Sequence, residues 1–118
     1  DDSYQGITHV VRGSDLLEVS ARQQLLFNLL NQPAPLWAHI PVLNNFHGQK
    51  LSKQNHAPAL DLATPSYNIF HALRLLGQEP PEQLARASVA TLLAWAQAHW
   101  SLTKVAKAMA QTDPHFSV

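Results

Sequence analysis

The chain has 118 residues, of which 46% are hydrophobic, and its eight basic residues balance eight acidic ones to give a formal net charge of zero. This length and composition suit one ordinary domain with a modest core. Neutrality excludes the bulk basicity that marks many nucleic-acid-binding proteins, but leaves local patches open. The sequence has no cysteine, which excludes disulfides and cysteine-ligated metal within it and is compatible with the cytoplasm.

The sequence carries no sign of a membrane segment or of a secretory leader. No apolar run approaches the ~20 residues that a membrane span needs. The first residues, Asp1–Gly6, have neither the basic region nor the apolar region of a signal peptide. They also lack an initiator methionine and lead directly into a strand-like segment. We therefore expect the chain to begin inside a larger protein, with loss of a short peptide from a precursor as the simpler alternative.

The first predicted elements are a strand and a helix. Ile7–Val11 is rich in β-branched residues and Gly13 follows closely, which predicts a short buried strand. Ser20 and Gln23 have capping-box spacing, so a helix is predicted to begin at Ser20. Four leucines fall on one face of this helix: Leu25, Leu26, Leu29 and Leu30. Asn31 and the prolines after it predict the end of the helix.

A second extended segment and a long loop follow. Trp37–Leu43 has strand character, and Pro41 within it predicts an edge position or an early exit from the sheet. The polar stretch Asn44–Pro58 contains Gly48 and predicts a long loop. Loops of this kind often carry function.

The carboxyl half has a helical pattern. Thr64 and Pro65 predict an N-cap and a first helical residue, and Gly77 predicts the end of that helix. A short helix is predicted near Glu82, and Ser88 is predicted to cap another. The apolar residues expected to face the core are Ile69, Phe70, Leu73 and Leu76 in the first of these helices and Val89, Leu92, Leu93, Ala96 and Trp100 in the last.

The most informative motif is Lys50-Leu51-Ser52-Lys53, which lies within the predicted loop. Two ammonium groups on flexible stems and a hydroxyl donor suit a polyphosphate ligand. Leu51 is expected to anchor the loop by its burial. The alternatives are solvated lysines and, for Ser52, a hydroxyl that only stabilises a local turn.

The histidines and tryptophans do not predict a metal or base-binding site. The seven histidines are His9, His39, His47, His56, His71, His99 and His115. None has the spacing of a helical metal pair, so we expect structural or solvated roles and no metal ligands. Trp95 and Trp100 are expected to belong to the core.

Several segments together resemble one enzyme family. The stretch Gly6–Asp15, the sequence Ala38-His39-Ile40-Pro41 and the motif at 50–53 resemble the second half of the catalytic core of glutamyl-tRNA synthetases, which are class I aminoacyl-tRNA synthetases. Leu51 stands where the family signature Lys-Met-Ser-Lys has methionine. Gln54 departs from the usual serine or arginine. The residues at 50–60 are closest to a truncated branch that transfers glutamate to the queuosine base of tRNA(Asp).

This resemblance implies an α/β fold. We expect the second half of a Rossmann-type catalytic domain over residues 1–43, the signature loop over 44–60, and a small helical stem-contact domain over 61–118. Because few residues follow the loop, we expect none of the large anticodon-binding domains into which ordinary relatives continue. The first family signature is missing, so half of the ATP site cannot be built from these residues, and we expect the isolated segment to be inactive.

The resemblance also implies the site residues and ligands. Lys53 is the expected catalytic residue, and the expected ATP-binding residues are Lys50, Leu51, Ser52, Lys53 and Gln54. Arg12 is expected to bind glutamate, because a guanidinium at the carboxyl end of a strand can hold a carboxylate. Asp15 is the second expected glutamate-binding residue, which either orients Arg12 or meets the substrate ammonium. The alternatives are an Arg12–Asp15 pair that orders the turn, and an Asp15 that is only an acid in an early helix turn, favoured there by the helix dipole.

The expected substrates are glutamate, ATP with Mg²⁺, and tRNA(Asp) carrying queuosine. Zinc is expected only in the missing amino-terminal half. A cytoplasmic monomer with no membrane partner is the family-like expectation. Two alternatives stay open, namely a fragment of an ordinary glutamyl-tRNA synthetase and a non-catalytic tRNA-binding module.

Overall fold

The structure, a computed structural model, describes residues 1–52 and 56–114. The chain forms two compact units. One comprises Asp1–Lys50 together with the segment that begins at Lys107, and the other comprises Leu51–Ala106. These units divide the chain at points other than the boundaries expected after residues 43 and 60, and the expected domain boundaries stay a prediction.

The first unit is built on a strand–helix–strand crossover. Strands β1 (His9–Gly13) and β2 (Leu36–Ile40) are parallel, with His9 opposite Leu36 and Gly13 opposite Ile40. A turn of 3-10 helix and helix α1 (Leu17–Leu29) connect them, as parallel pairing requires a long connection. The predicted strand Ile7–Val11 therefore exists but lies two residues further along the chain, and its predicted burial is wrong, since Val11 is 67% exposed.

The predicted start of α1 is wrong. The helix begins at Leu17, and Ser20 lies inside it. The Ser20 hydroxyl does not cap the helix, because Arg12, His39 and the Leu16 carbonyl occupy it. The predicted end is confirmed, since α1 stops at Leu29 and Asn31 takes a positive φ of 51°. The four leucines on the shared face are between 56% and 68% exposed.

The second extended segment is interrupted after β2, as predicted. Pro41 separates β2 from β3 (Val42–Asn44). Strand β3 pairs in parallel with β4 (Ala110–Thr112), from the carboxyl-terminal part of the chain. Beyond β3 the chain turns at Asn45, whose side-chain oxygen accepts hydrogen bonds from the backbone of His47 and Gln49.

The second unit is mainly helical. Its longer helices are α2 (Pro65–Leu75) and α3 (Val89–His99), with short 3-10 helices at Glu82–Arg86 and Leu102–Lys104. The buried core consists of Phe70, Leu73 and Leu92. None of the helices within residues 1–52 and 56–114 combines the length and the apolar character that crossing a membrane requires.

The helix ends of this unit follow the sequence signals closely. Ser88 caps α3, because its side-chain oxygen accepts a 3.1 Å hydrogen bond from the Thr91 backbone. Gly77 follows the end of α2 and has a positive φ of 71°. Thr64 precedes Pro65 as predicted, but its hydroxyl bonds to Asp61 instead of capping the helix.

Two residues predicted to face inward in the second unit do not. Leu93 is 53% exposed and Trp100 is 46% exposed, whereas Leu92 is fully buried. A helix of this length packs one narrow stripe against its neighbour, and Leu93 lies one residue, about 100° of helix rotation, away from Leu92. Trp95 packs against the core as predicted.

Candidate functional site

Arg12 lies near the carboxyl end of β1, where open α/β sheets bind their ligands. Its Nη2 donates to Ser20 Oγ at 2.5 Å and to Gln23 Oε1 at 2.8 Å, and its Nε lies 3.2 Å from the same Ser20 oxygen. The guanidinium carbon lies 4.7 Å from the centre of the Trp37 ring. Helix α1 and strand β2 therefore hold the guanidinium from two sides.

The charge of Arg12 is not balanced by an acid. Its partners are a hydroxyl, an amide and an aromatic face, all of them neutral. Among residues 1–52 and 56–114, no carboxylate pairs with it and no protein group accepts from its Nη1. Arg12 is only half-buried. The two N–H groups of Nη1 are the donors that a ligand could take, and a pre-ordered cation of this kind is suited to an anionic ligand such as a carboxylate.

Ser20 is the buried centre of this arrangement. Besides Arg12, its hydroxyl contacts His39 Nε2 at 2.6 Å and the Leu16 carbonyl at 3.0 Å. Since Ser20 is on α1 and His39 is on β2, the contact ties the helix to the strand beneath it. His39 had no role assigned from the sequence.

Trp37 is itself held in place. Its indole Nε1 donates to Gln24 Oε1 at 2.9 Å, and its ring meets Phe27 edge-on with the ring centres 6.4 Å apart. The face that Trp37 offers to Arg12 is therefore fixed by two residues of α1. An aromatic face adds ~1 kcal/mol of attraction to a cation that is partly shielded from water.

A groove of about 580 Å³ opens beside this cluster. Its lining residues are Leu17, Glu18, Ser20, Ala21, Gln24, Trp37 and His39. Three of them, Ser20, Trp37 and His39, belong to the cluster of side chains around Arg12. The groove thus places open space next to the cluster that orders the guanidinium.

Asp15 forms its ion pair with Lys50 and not with Arg12, contrary to the pairing considered from the sequence. Its Oδ2 accepts a 2.5 Å hydrogen bond from Lys50 Nζ in an exposed ion pair. This hydrogen bond, with the charge attraction of the same ammonium, holds the pKa of the Asp15 carboxyl below its usual range against the opposing effect of desolvation. Asp15 therefore meets the first lysine of the loop motif, and its expected contact with glutamate stays untested.

The rest of the loop motif is only partly described. Leu51 and Ser52 are half-buried, and the Ser52 carbonyl accepts a 3.2 Å hydrogen bond from the Ala57 backbone. That contact agrees with a local turn at Ser52. Lys53 and Gln54 lie outside the described residues.

The structure brings together residues that the sequence left separate. Ser20 and Gln23 were interpreted as a capping box, yet both side chains bind Arg12. The sequence did contain a signal for this contact. Ser20 and Gln23 are hydrogen-bonding side chains one turn apart on a helix that packs over the strand carrying Arg12. Trp37 and His39 sit two apart on β2, and this alternation places both on one face of the strand.

The described residues contain no cluster of three or more histidine or acidic side chains that could hold a metal ion. His99 instead stacks on Trp95 with ring centres 4.9 Å apart, and His71 stacks on Tyr67 at 6.0 Å. Two of the seven histidines therefore pack against aromatic rings, as residues with a structural role do.

Comparison with known proteins identifies the family. The sequence profile of tRNA synthetases class I (E and Q), catalytic domain, matches residues 1–110. Proteins named glutamyl-Q tRNA(Asp) synthetase from Thiobacillus denitrificans and Vibrio cholerae are 50% and 43% identical to this chain over 105 and 117 residues. The alignments cover 89% and 99% of this chain but only 35% and 38% of those proteins, so the chain spans about a third of their length.

Solved structures agree with this assignment. The glutamate-tRNA synthetase of Elizabethkingia anophelis superposes with a TM-score of 0.63 and 25% identity, covering 98% of this chain and 27% of that one. A glutamate tRNA ligase of Elizabethkingia meningosepticum, solved in complex with its amino acid, gives a TM-score of 0.59 and 26% identity over 93% of this chain and 26% of that one. This chain belongs to the class I tRNA synthetases of the E and Q type, and it corresponds to part of their catalytic domain.

Proposed function

We propose that this chain is part of an enzyme that activates glutamate with ATP and transfers the glutamyl group to queuosine at the wobble position of tRNA(Asp). The observation that carries the proposal is the Arg12 guanidinium, which neutral groups hold in place and which pairs with no carboxylate of the described residues. The names of relatives that are 41–50% identical support the choice of glutamate and of the queuosine-bearing tRNA.

The first step of the proposed reaction joins glutamate to AMP. A carboxylate oxygen of glutamate attacks the α-phosphorus of ATP, the bond from that phosphorus to the bridging oxygen breaks, and pyrophosphate leaves. Arg12 holds a carboxylate of glutamate while this happens, which fixes the amino acid at near-attack distance. The product is glutamyl-adenylate, a mixed anhydride.

The loop motif acts on the triphosphate. Negative charge grows on the departing pyrophosphate, and the ammonium of Lys53 meets that charge mainly in the transition state. Asp15 holds Lys50 in the absence of ATP, and the triphosphate competes with Asp15 for that ammonium. ATP would bind as its Mg²⁺ complex, in which the cation would neutralise part of the phosphate charge and would need few protein ligands. Ser52 supports the loop through its backbone and its hydroxyl, and Leu51 supports it through its partial burial. Gln54 completes the ATP-binding segment of the loop.

In the second step a nucleophilic group of the queuosine base attacks the anhydride carbonyl. The carbon–oxygen bond to the phosphate breaks, AMP leaves, and the nucleophile loses its proton. The acceptor is thus a modified base and not the terminal adenosine. We propose a cytoplasmic monomer for the whole protein, in keeping with the family.

The test is glutamate transfer by the natural gene product that contains this chain. Labelled glutamate and ATP are supplied with tRNA(Asp) that either carries or lacks queuosine, and with tRNA(Glu). The expected result is label on queuosine-containing tRNA(Asp) alone. Label on tRNA(Glu) without regard to queuosine would assign an ordinary glutamyl-tRNA synthetase. Binding of tRNA without consumption of ATP would assign a non-catalytic binding module.

A further inference from the structure

We infer that His39 is a positioning residue for Arg12, acting through the hydroxyl of Ser20. The imidazole accepts a hydrogen bond from the Ser20 hydroxyl at Nε2, and both lone pairs of Ser20 Oγ are then directed to the guanidinium. This inference rests on the proposed function, because glutamate is the ligand that Arg12 is proposed to bind.

The hydrogen-bonding capacity of Ser20 leads to this assignment. A serine hydroxyl has one proton to donate and two lone pairs to accept with. Arg12 directs two N–H groups at this oxygen, Nη2 at 2.5 Å and Nε at 3.2 Å, and an arginine can never accept. Those two contacts use both lone pairs. The proton is the one group left, so it points to another partner.

Two acceptors compete for the Ser20 proton. His39 Nε2 lies at 2.6 Å and the Leu16 carbonyl oxygen at 3.0 Å. If the proton went to Leu16, the 2.6 Å contact would need an N–H at His39 Nε2, and three N–H groups would crowd two lone pairs. Donation to His39, at the shorter distance, avoids this crowding and leaves the Leu16 carbonyl without the Ser20 proton. It requires the tautomer that carries the His39 proton on Nδ1.

The assignment explains how a residue on β2 orders a ligand-binding group on β1. A cation that donates to a hydroxyl polarises it and makes it a better donor, so the two hydrogen bonds strengthen each other. Ser20 is buried, and the geometry is therefore kept from water. Without an acceptor at position 39, the hydroxyl turns toward Leu16, its lone pairs rotate away from Arg12, and the guanidinium keeps only Gln23 and Trp37.

If the Arg12 guanidinium is no longer held in place, glutamate binding should weaken more than the chemical step slows. The ligand must then order the guanidinium itself, and this cost falls equally on the ground state and the transition state. Such a loss raises KM and leaves kcat nearly unchanged. A residue that only supports the fold would lower the amount of active enzyme, and thus the apparent kcat, without a selective effect on KM for glutamate.

The matched variants are His39→Phe, which keeps an aromatic ring but has no acceptor, and His39→Gln, whose side-chain oxygen can accept near the former Nε2. In ATP–pyrophosphate exchange by the natural gene product, His39→Phe is expected to raise KM for glutamate about tenfold with kcat within about twofold, which corresponds to ~1.4 kcal/mol of binding. His39→Gln is expected to recover most of this loss. An unchanged KM in His39→Phe overturns the inference, as does an equal loss of kcat in both variants.

Nuclear magnetic resonance gives a readout that does not depend on activity. In mildly alkaline buffer, two-bond ¹⁵N–¹H spectra of His39 should place the proton on Nδ1. The Arg12 Nε–H should exchange slowly with water in the wild type and in His39→Gln, and faster in His39→Phe. A proton on Nε2, or Arg12 exchange that ignores His39, overturns the inference. If the wild type fails to activate glutamate, the proposed function falls, and these spectra still decide the role of His39.

Discussion

The carboxylate of Asp15 and the ammonium of Lys50 lie 2.5 Å apart, although 35 positions separate them in the sequence. Asp15 lies in the turn after β1, and Lys50 begins the motif that the sequence links to ATP. The pair therefore joins the first strand of the crossover to the first residue of the loop. Both side chains are substantially exposed, so the contact sets the position of Lys50 more than it stabilises the fold.

The first prediction concerns the pKa of Asp15. Because the hydrogen bond from Lys50 lowers this pKa in the folded state, Lys50→Gln should raise it toward its usual range. The sign for stability follows from linkage. The contribution of the pair is present above the unfolded-state pKa and is lost as the pH falls through the lower folded-state pKa. A carboxyl-carbon NMR titration measures the shift directly.

A second ion pair provides the control for this titration. Lys104 Nζ lies 2.7 Å from Glu79 Oε2, and its hydrogen bond likewise lowers the pKa of Glu79. The Glu79 pKa should not respond to Lys50→Gln, and it should rise in Lys104→Gln. An Asp15 pKa that stays low in Lys50→Gln would mean that another group sets it.

The second prediction is that Gly13→Ala disturbs this pair. Gly13 has an ordinary φ of −66°, so backbone strain is not at issue. A methyl group there would overlap Asp15 Oδ1 and lie 3.3 Å from Val42 Cγ1. We expect the Asp15 carboxylate to swing away from Lys50, its pKa to rise, and the free energy of unfolding to fall by ~1 kcal/mol, at the low end for overpacking. Adding Asp15→Ala should remove most of the methyl group's cost, and two additive losses would contradict the predicted overlap.

The third prediction separates burial from periodicity in α3. Leu92 is fully buried, and its neighbour Leu93 is 53% exposed. Leu92→Ala should lower the free energy of unfolding by ~3 kcal/mol through lost transfer energy and a residual cavity. Leu93→Ala, with the same change in chemistry, should cost less than ~1 kcal/mol. Amide exchange in α2 measures both, and equal losses would show that the packing of α3 is misassigned.

The fourth prediction compares two glycines with nearly the same backbone conformation. Gly77 and Gly6 have φ values of 71° and 69°. A methyl group on Gly77 would overlap the Lys104 carbonyl oxygen, whereas one on Gly6 would meet no atom within 4 Å. Gly6→Ala should therefore cost only the ~1 kcal/mol of a strained φ, and Gly77→Ala should cost clearly more because backbone must move. Thermal unfolding of the two variants gives the comparison, and equal costs would contradict it.

The sequence predicted those features that local chemistry decides. Pro41 ends β2, Gly77 follows α2 and Ser88 caps α3 because each acts through its own backbone or its nearest turn. The prediction that Ser20 caps the helix was wrong because its oxygen can accept a hydrogen bond from a backbone N–H or from a distant side chain equally well. Only the fold, which brings Arg12 and His39 to it, decides between the two.

Features that depend on distant partners could not be predicted. The leucine pattern of α1 indicates a common face but not whether that face is covered. Strand β4 owes its pairing to β3, more than 60 residues earlier in the chain, and its three residues carry no strong strand pattern. The position of Arg12 was predictable from its strand, whereas the aromatic and amide groups around it were not.

The fifth prediction tests whether the geometry of Arg12, and not its charge alone, serves the proposed site. Arg12→Lys keeps the positive charge but loses the planar guanidinium, whose Nε and Nη2 contact Ser20 and Gln23 and whose Nη1 is left for a carboxylate. KM for glutamate in ATP–pyrophosphate exchange should rise at least tenfold, while KM for ATP should change little. Arg86→Lys, an exposed arginine in the second unit, is the matched control and should leave both constants unchanged. A normal KM for glutamate in Arg12→Lys would mean that another residue holds the amino acid, and the unpaired guanidinium would then need a different ligand.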